Sequence, residues 1–221
     1  MLNVSSFFDK NATDESFTRV LREKSVHEKL VSNGFTIIDQ KTLDTEYASL
    51  EAPVGIVNLS YANSIPTPTP GFVSTFMMGY AYQIKNTQCN DKYLSEFLTE
   101  WMEAMPGKYK YLMSLFPKNY LFAKSKSITY NDIFDVALEW TPDCFIGVFD
   151  DSKKMMFVFS EEFHVTHVSF DPRYVQSGMS DISDRFKLVI NDGFVSDCKA
   201  RTGGNRKRLE EYYQSVIVPF V

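Results

Sequence analysis

The chain has 221 residues, 44% of them apolar and 23% charged, with a formal net charge of −5. That is enough chain and enough apolar material for an ordinary globular core. It excludes a general electrostatic attraction to nucleic acid. Three cysteines, Cys89, Cys144 and Cys198, lie far apart with no paired spacing. Their odd number argues against a disulfide framework and for free thiols in a reducing compartment. The N-terminus lacks a basic stretch followed by an apolar one, and no run nears the ~18 apolar residues that span a bilayer. The expectation is a cytoplasmic protein with no membrane contact.

Residues 13–32 read as a helix. Phe17, Val20, Leu21, Leu30 and Val31 form a broken stripe, and Asn33-Gly34 is a stop signal. A short strand follows at 35–39, a helical turn or two at 43–51, and a second strand at 54–61. Residues 65–71, with prolines at 66, 68 and 70, read as a surface loop or a weak subdivision between two parts. The apolar run 72–84 predicts a strand, with a buried helix as the alternative, since a continuous apolar run fits both. Residues 90–105 are the clearest helix, on the spacing of Leu94, Phe97, Leu98, Trp101, Met102 and Met105. A short helix is expected at 108–116, while 120–123 has no clear type. Residues 129–140 form a helix opened by the capping pair Thr129 and Asp132.

The stretch 144–171 is the strongest β signal. Two runs of Phe, Val, Ile and Met flank Asp150-Asp151-Ser152-Lys153, and both alternate faces are apolar. This predicts a hairpin covered on both sides, with 165–170 as a neighbouring strand. Residues 181–190 fit either a helix or a hairpin arm. A last helix is expected at 206–216, capped by Asn205 and ended by Pro219. The order of elements predicts a single α+β domain, residues 1–221, with a mainly antiparallel sheet packed with several helices.

The sequence holds none of the common nucleophile, phosphate-loop, dinucleotide or zinc-protease motifs, and no cofactor is expected. Its histidines are His27, His164 and His167. On a strand, His164 and His167 point to opposite faces and cannot share a metal ion. An enzyme with a dispersed site around His164, His167, Glu162 and a thiol such as Cys144 is one alternative reading.

Charge is more informative. Residues 106–127 carry five lysines and no acid, and residues 199–221 carry five cations against two acids. The first island interleaves Lys108, Lys110, Lys118, Lys124 and Lys126 with Tyr109, Tyr111, Tyr120 and Phe122. If the two islands converge, segments 108–126 and 199–208 would suit nucleic acid or phosphate. Arg201, Arg206, Lys207 and Arg208 beside Gly203-Gly204 are candidate anion ligands. Elsewhere the body is acidic, and Asp150, Asp151, Glu161 and Glu162 are the candidate partner-binding residues. The leading expectation is a non-enzymatic binding protein with a basic protein partner. Bacterial immunity or antitoxin-like inhibitors, which cap a basic nuclease, are one concrete form.

Overall fold

A strand whose two faces are both apolar needs cover on both sides, and the fold supplies it. The computed structural model describes residues 1–8, 17–78, 98–115, 120–139, 145–160, 163, 165–174 and 203–220. In chain order the elements are β1 (Leu2–Asn3), α1 (Phe17–Ser32), β2 (Thr36–Ile37), α2 (Gln40–Glu46), β3 (Glu51–Ala52), β4 (Val54–Val57) and β5 (Ile65–Pro68). There follow β6 (Val73–Met78), β7 (Lys110–Ser114), β8 (Phe122–Ser125), α3 (Tyr130–Glu139), β9 (Phe145–Asp150), β10 (Met155–Ser160), β11 (Val165–Phe170) and α4 (Gly203–Tyr212). Residues 98–103 are also helical.

Seven strands form the large sheet in the order β2-β8-β7-β9-β10-β11-β6, and every pair in it is antiparallel. Two small ribbons, β1-β3 and β4-β5, accompany it. The α+β expectation therefore holds in its broad form, with the sheet dominant. Among the described residues no helix is long and apolar enough to cross a membrane.

The two faces have separate cores. On one, Leu112, Ile146, Val148, Phe157 and Phe159 meet Val26 and Leu30 of α1, Trp101 and Met102, and Ile133 and Val136 of α3. On the other, Tyr111, Met113, Phe145, Phe149 and Val158 meet Phe7, Leu43 of α2, Val54 and Ile65 of the β4-β5 ribbon, and Leu209 and Tyr212 of α4. Phe145, Phe149, Phe157 and Phe159 are buried, and burying each side chain contributes about 2–3 kcal/mol.

Local signals hold where they are chemical. Thr129 N–H donates to the Asp132 carboxylate at 2.8 Å and Asp132 N–H donates to Thr129 Oγ1 at 3.3 Å, closing the capping box of α3. Helix α1 ends at Gly34, whose φ of 86° is the left-handed conformation.

Three expectations are corrected. Residues 110–114 are strand β7 rather than a helix, because β8 and β9 hydrogen-bond to both of its edges. Residues 65–68 are strand β5 rather than a loop. Pro66 and Pro68 stand opposite Ile56 and Val54, in a two-stranded ribbon where a missing N–H is tolerated. Ile65 belongs to the same apolar cluster as Phe76 and Phe145. The last helix begins at Gly203, so Asn205 is helical rather than a cap, and the helix leaves α geometry after Tyr212. The reading of 181–190 lies outside the described residues, as does part of the expected elements at 72–84 and 90–105.

Candidate functional site: a lysine and tyrosine rim

The β9-β10 turn closes one end of the large sheet, and its two aspartates do different things. Asp150 is fully buried. Its Oδ1 accepts hydrogen bonds from Ser152 N–H at 3.1 Å, Ser152 Oγ at 2.5 Å and Lys153 N–H at 3.2 Å. Its Oδ2 accepts from Gly107 N–H. A β-carbon at Gly107 would collide with the carboxylates of both Asp150 and Asp151, so glycine is what lets this backbone come so close. Asp150 is thus a fastener between the turn and the entry to β7, and no partner can reach it. Asp151 is exposed, and it accepts from Tyr109 N–H at 3.4 Å.

Glu161 and Glu162 lie outside the described residues, as do His164, Cys144 and Arg201.

Lysines dominate what remains at the Asp150 end. Register places Lys110 opposite both Ser125 and Asp150, which brings β7, β8 and the turn to one rim. Lys124 Nζ donates to Tyr47 Oη at 2.6 Å. The same ammonium lies 5.4 Å from the centre of the Tyr47 ring and 5.5 Å from that of Tyr109. Lys108 sits 5.1 Å from the Tyr109 ring and Lys154 sits 4.9 Å from the Tyr174 ring. Such contacts are worth about 0.5–1 kcal/mol each at exposed sites. The Tyr47 hydrogen bond, ahead of the cost of partial burial, holds the Lys124 ammonium above its ordinary pKa.

The rings have a firm base. Tyr47 stands edge-on to Tyr111 and Phe122, which stack on each other with centroids 5.7 Å apart. Burial, with Asp151 adding to it, pushes the Tyr111 phenol up to about 12. Tyr111 and Phe122 therefore belong to the core, whereas Tyr47 and Tyr109, packed on one face of the sheet, and Tyr174, packed on the other, are half-buried and carry the lysines.

Other charges nearby are paired. Lys153 meets Glu51 at 3.7 Å, and Arg173 meets Asp171 at 2.6 Å. Hydrogen bonds from Arg173 hold the Asp171 carboxyl down to about 2. Lys108, Lys124, Lys126 and Lys154 have no carboxylate within pairing distance among the described residues. Lys110 is buried, and its ammonium donates to Lys126 O at 3.3 Å.

The second basic island lies elsewhere. Tyr212 of α4 stacks against Phe163, with centroids 4.2 Å apart, and against Phe145, the first residue of β9. The helix therefore sits at the sheet end away from Asp150, so among the described residues Arg206 and Arg208 do not join Lys108, Lys110 and Lys124 at the turn. Its charges are engaged locally. Arg206 pairs with Glu210 at 2.8 Å and Arg208 lies 5.1 Å from the Tyr61 ring. Glu211 accepts from Ser60 N–H at 2.6 Å and Ser60 Oγ at 2.5 Å, bonds that lower its pKa.

His167 is sealed inside the sheet, opposite Val158 and Phe76, with its ring centre 5.2 Å from that of Phe76. Burial depresses its pKa to about 3, so it is a neutral core side chain away from solvent. Among the described residues no three His, Cys, Asp or Glu side chains are grouped to hold a metal.

Sequence reading missed Tyr47, Lys154 and Tyr174 as members of this rim. The alternation of lysine and tyrosine at 108–111 was the available signal, but the three missed residues come from distant segments. No protein-family model, curated protein or solved structure matches the chain.

Proposed function

We propose that the protein is a non-enzymatic, protein-binding module whose contact surface is the lysine and tyrosine rim, and that its partner presents an acidic protein surface. The observation that carries the reading is the set of rim lysines without carboxylate partners, three of them held over aromatic rings. Ring contacts restrict these long side chains before any partner arrives, so less rotamer freedom is lost on binding. Unpaired cations also steer encounter with an opposite surface.

A basic partner has less to hold at this rim. Asp150 is buried, which leaves Asp151 as the exposed carboxylate of the turn that an immunity or antitoxin-like inhibitor of a basic nuclease would use. Nucleic acid is the competing anion. Lysine ammonium groups already lie against the Tyr47 and Tyr109 rings that base stacking would use.

The test is fluorescence anisotropy with two probes of matched charge, a poly-glutamate peptide and a single-stranded oligonucleotide. The peptide is expected to bind more tightly than the oligonucleotide, with affinity that falls as salt rises. The triple variant K108Q/K124Q/K154Q should lose at least about tenfold, the effect of removing roughly 1.4 kcal/mol. The triple variant R206Q/K207Q/R208Q should bind as the parent does. Equal binding by both triple variants would overturn the rim as the site. Tighter binding to the oligonucleotide would replace the acidic protein with nucleic acid.

A further inference from the structure

On the sheet face that meets α4 and the β4-β5 ribbon, most strands present Phe, Met, Val and Tyr. The last two strands, β11 and β6, add polar side chains to Val165 and Phe76 there. Ser169 and Ser74 stand directly opposite each other across this pair. His167, two residues along β11, projects from the same face and stands opposite Phe76. All three are more than nine-tenths buried. Among the described residues, Ser169 Oγ, Ser74 Oγ and His167 Nε2 each lack a hydrogen-bond partner. Thr69 Oγ1, at the start of the Thr69–Phe72 turn that feeds β6, is a third buried hydroxyl in the same condition. By contrast Ser160, on this face of β10, accepts from Phe163 N–H at 3.3 Å.

Buried polar groups in folded proteins almost always have a partner, and one strip that gathers three unpaired groups in register marks a place for a guest. Directly opposed side chains stand about 4.5–5.5 Å apart at Cβ, a gap one small bridging molecule can span. We infer that the inner face of the β11-β6 pair binds a small neutral molecule that both donates and accepts hydrogen bonds, bridging Ser74, Ser169 and His167. Hydroxyls take either role, and a neutral imidazole nitrogen offers one. The residues around it on this face are Met156, Val158, Val165 and Phe76, all apolar, so an ionic guest would have no counter-charge. Two sources share this chemistry: ordered water, and the hydroxyl or amide end of a small metabolite.

Urea unfolding of Ser74→Ala, Ser169→Ala and the double variant tests the bridge. Each single change is expected to lower the unfolding constant's margin by about fivefold to tenfold, and the double change by less than the product, because both remove the same bridged molecule. Unchanged or raised stability in both single variants would overturn the inference, since that is what removal of an unsatisfied hydroxyl gives. If the variants do not fold, the parent protein still decides. Long-lived water cross-peaks at the Ser74 and Ser169 amides in NMR identify water. A mass adduct in native mass spectrometry that disappears on unfolding and refolding identifies a metabolite. The absence of both signals overturns the site.

Discussion

The two ends of the large sheet carry cations from the two basic islands, Lys108, Lys110 and Lys124 at one and Arg206 and Arg208 at the other, and they treat them in opposite ways. At the α4 end, Arg206 has Glu210, Arg208 has the Tyr61 ring, and Glu211 is tied to Ser60. At the turn end, Asp150 is taken up by backbone donors and Asp171 by Arg173, and four lysines form no close ion pair among the described residues. The lesson is that net charge per segment does not measure available charge. Availability depends on which acids have been drawn into hydrogen bonds, and that is settled across strands rather than along the chain.

The largest expected effect asks whether the two ends share one cooperative core. His167 lies inside β11, which runs between them. Its folded pKa, about 3, is below the ordinary value of 6.5 that applies when unfolded. Between those values the unfolded state binds more protons, so stability is full above pH 6.5 and falls as pH drops. The loss approaches roughly 4–5 kcal/mol by pH 3, at ~1.4 kcal/mol per pH unit. Urea melts of the parent and of His167→Leu at pH 7, 5.5 and 4 isolate this part of the acid limb. The variant is expected to lose markedly less stability on acidification. Parallel pH profiles would mean that the imidazole reaches water.

Next comes the fastener at the rim. Asp150→Ala leaves Gly107, Ser152 and Lys153 N–H groups without their acceptor, at a cost of about 3 kcal/mol. Hydrogen exchange should show this loss first at residues 107–110 and 151–154, with the α4 end unaffected. Uniform destabilisation would erase the distinction between the ends.

What was legible in the sequence was local. The β9-β10 hairpin, the Thr129 and Asp132 capping box and the Gly34 stop rest on contacts within a few residues, and each appears. Strand β7 was misread because Tyr111 and Met113 on one face and Leu112 on the other are all apolar, which hides the two-residue period. Asp150 was misassigned to the surface, although Asp150 with Ser152 and Lys153 has the sequence of an aspartate that folds back on its own turn. The rim itself was only half visible. Lys108, Tyr109 and Lys124 stood out as a basic-aromatic interleave, but Tyr47 on the segment after α2, and Tyr174 after β11, join them only through the sheet.

A smaller effect separates the lysine clamp from generic charge. Tyr47→Phe keeps the ring under Lys124 but removes the hydroxyl that accepts its proton at 2.6 Å. The expected cost is about 1 kcal/mol in stability, with a lower Lys124 pKa, because the hydrogen bond is its main upward influence. Acidic-peptide affinity should fall by a few-fold, less than for K124Q. A Lys124 side-chain NMR titration unchanged in the variant would remove the hydroxyl from the account.

The smallest effect comes from the opposite end, and its sign matters more than its size. Helix α4 has no acidic residue in its first turn, and Arg206, Lys207 and Arg208 follow Gly203 and Gly204 closely. Cations there oppose the helix dipole, whose N-terminal end is positive. Arg206 recovers part of this through Glu210, and Arg208 through Tyr61, but Lys207 has no carboxylate partner among the described residues. Lys207→Glu is therefore expected to stabilise the protein by about 0.3–0.5 kcal/mol, with the gain shrinking in high salt. The same reversal at Lys108, which sits over Tyr109 and near no helix start, should give no such gain and should cost binding instead. A stabilised K207E with intact peptide binding, beside a K108E without either, would separate a cation kept for helix-local reasons from one kept for a partner. Equal behaviour of the two variants would mean that the ends of the sheet do not differ in the way their side-chain contacts indicate.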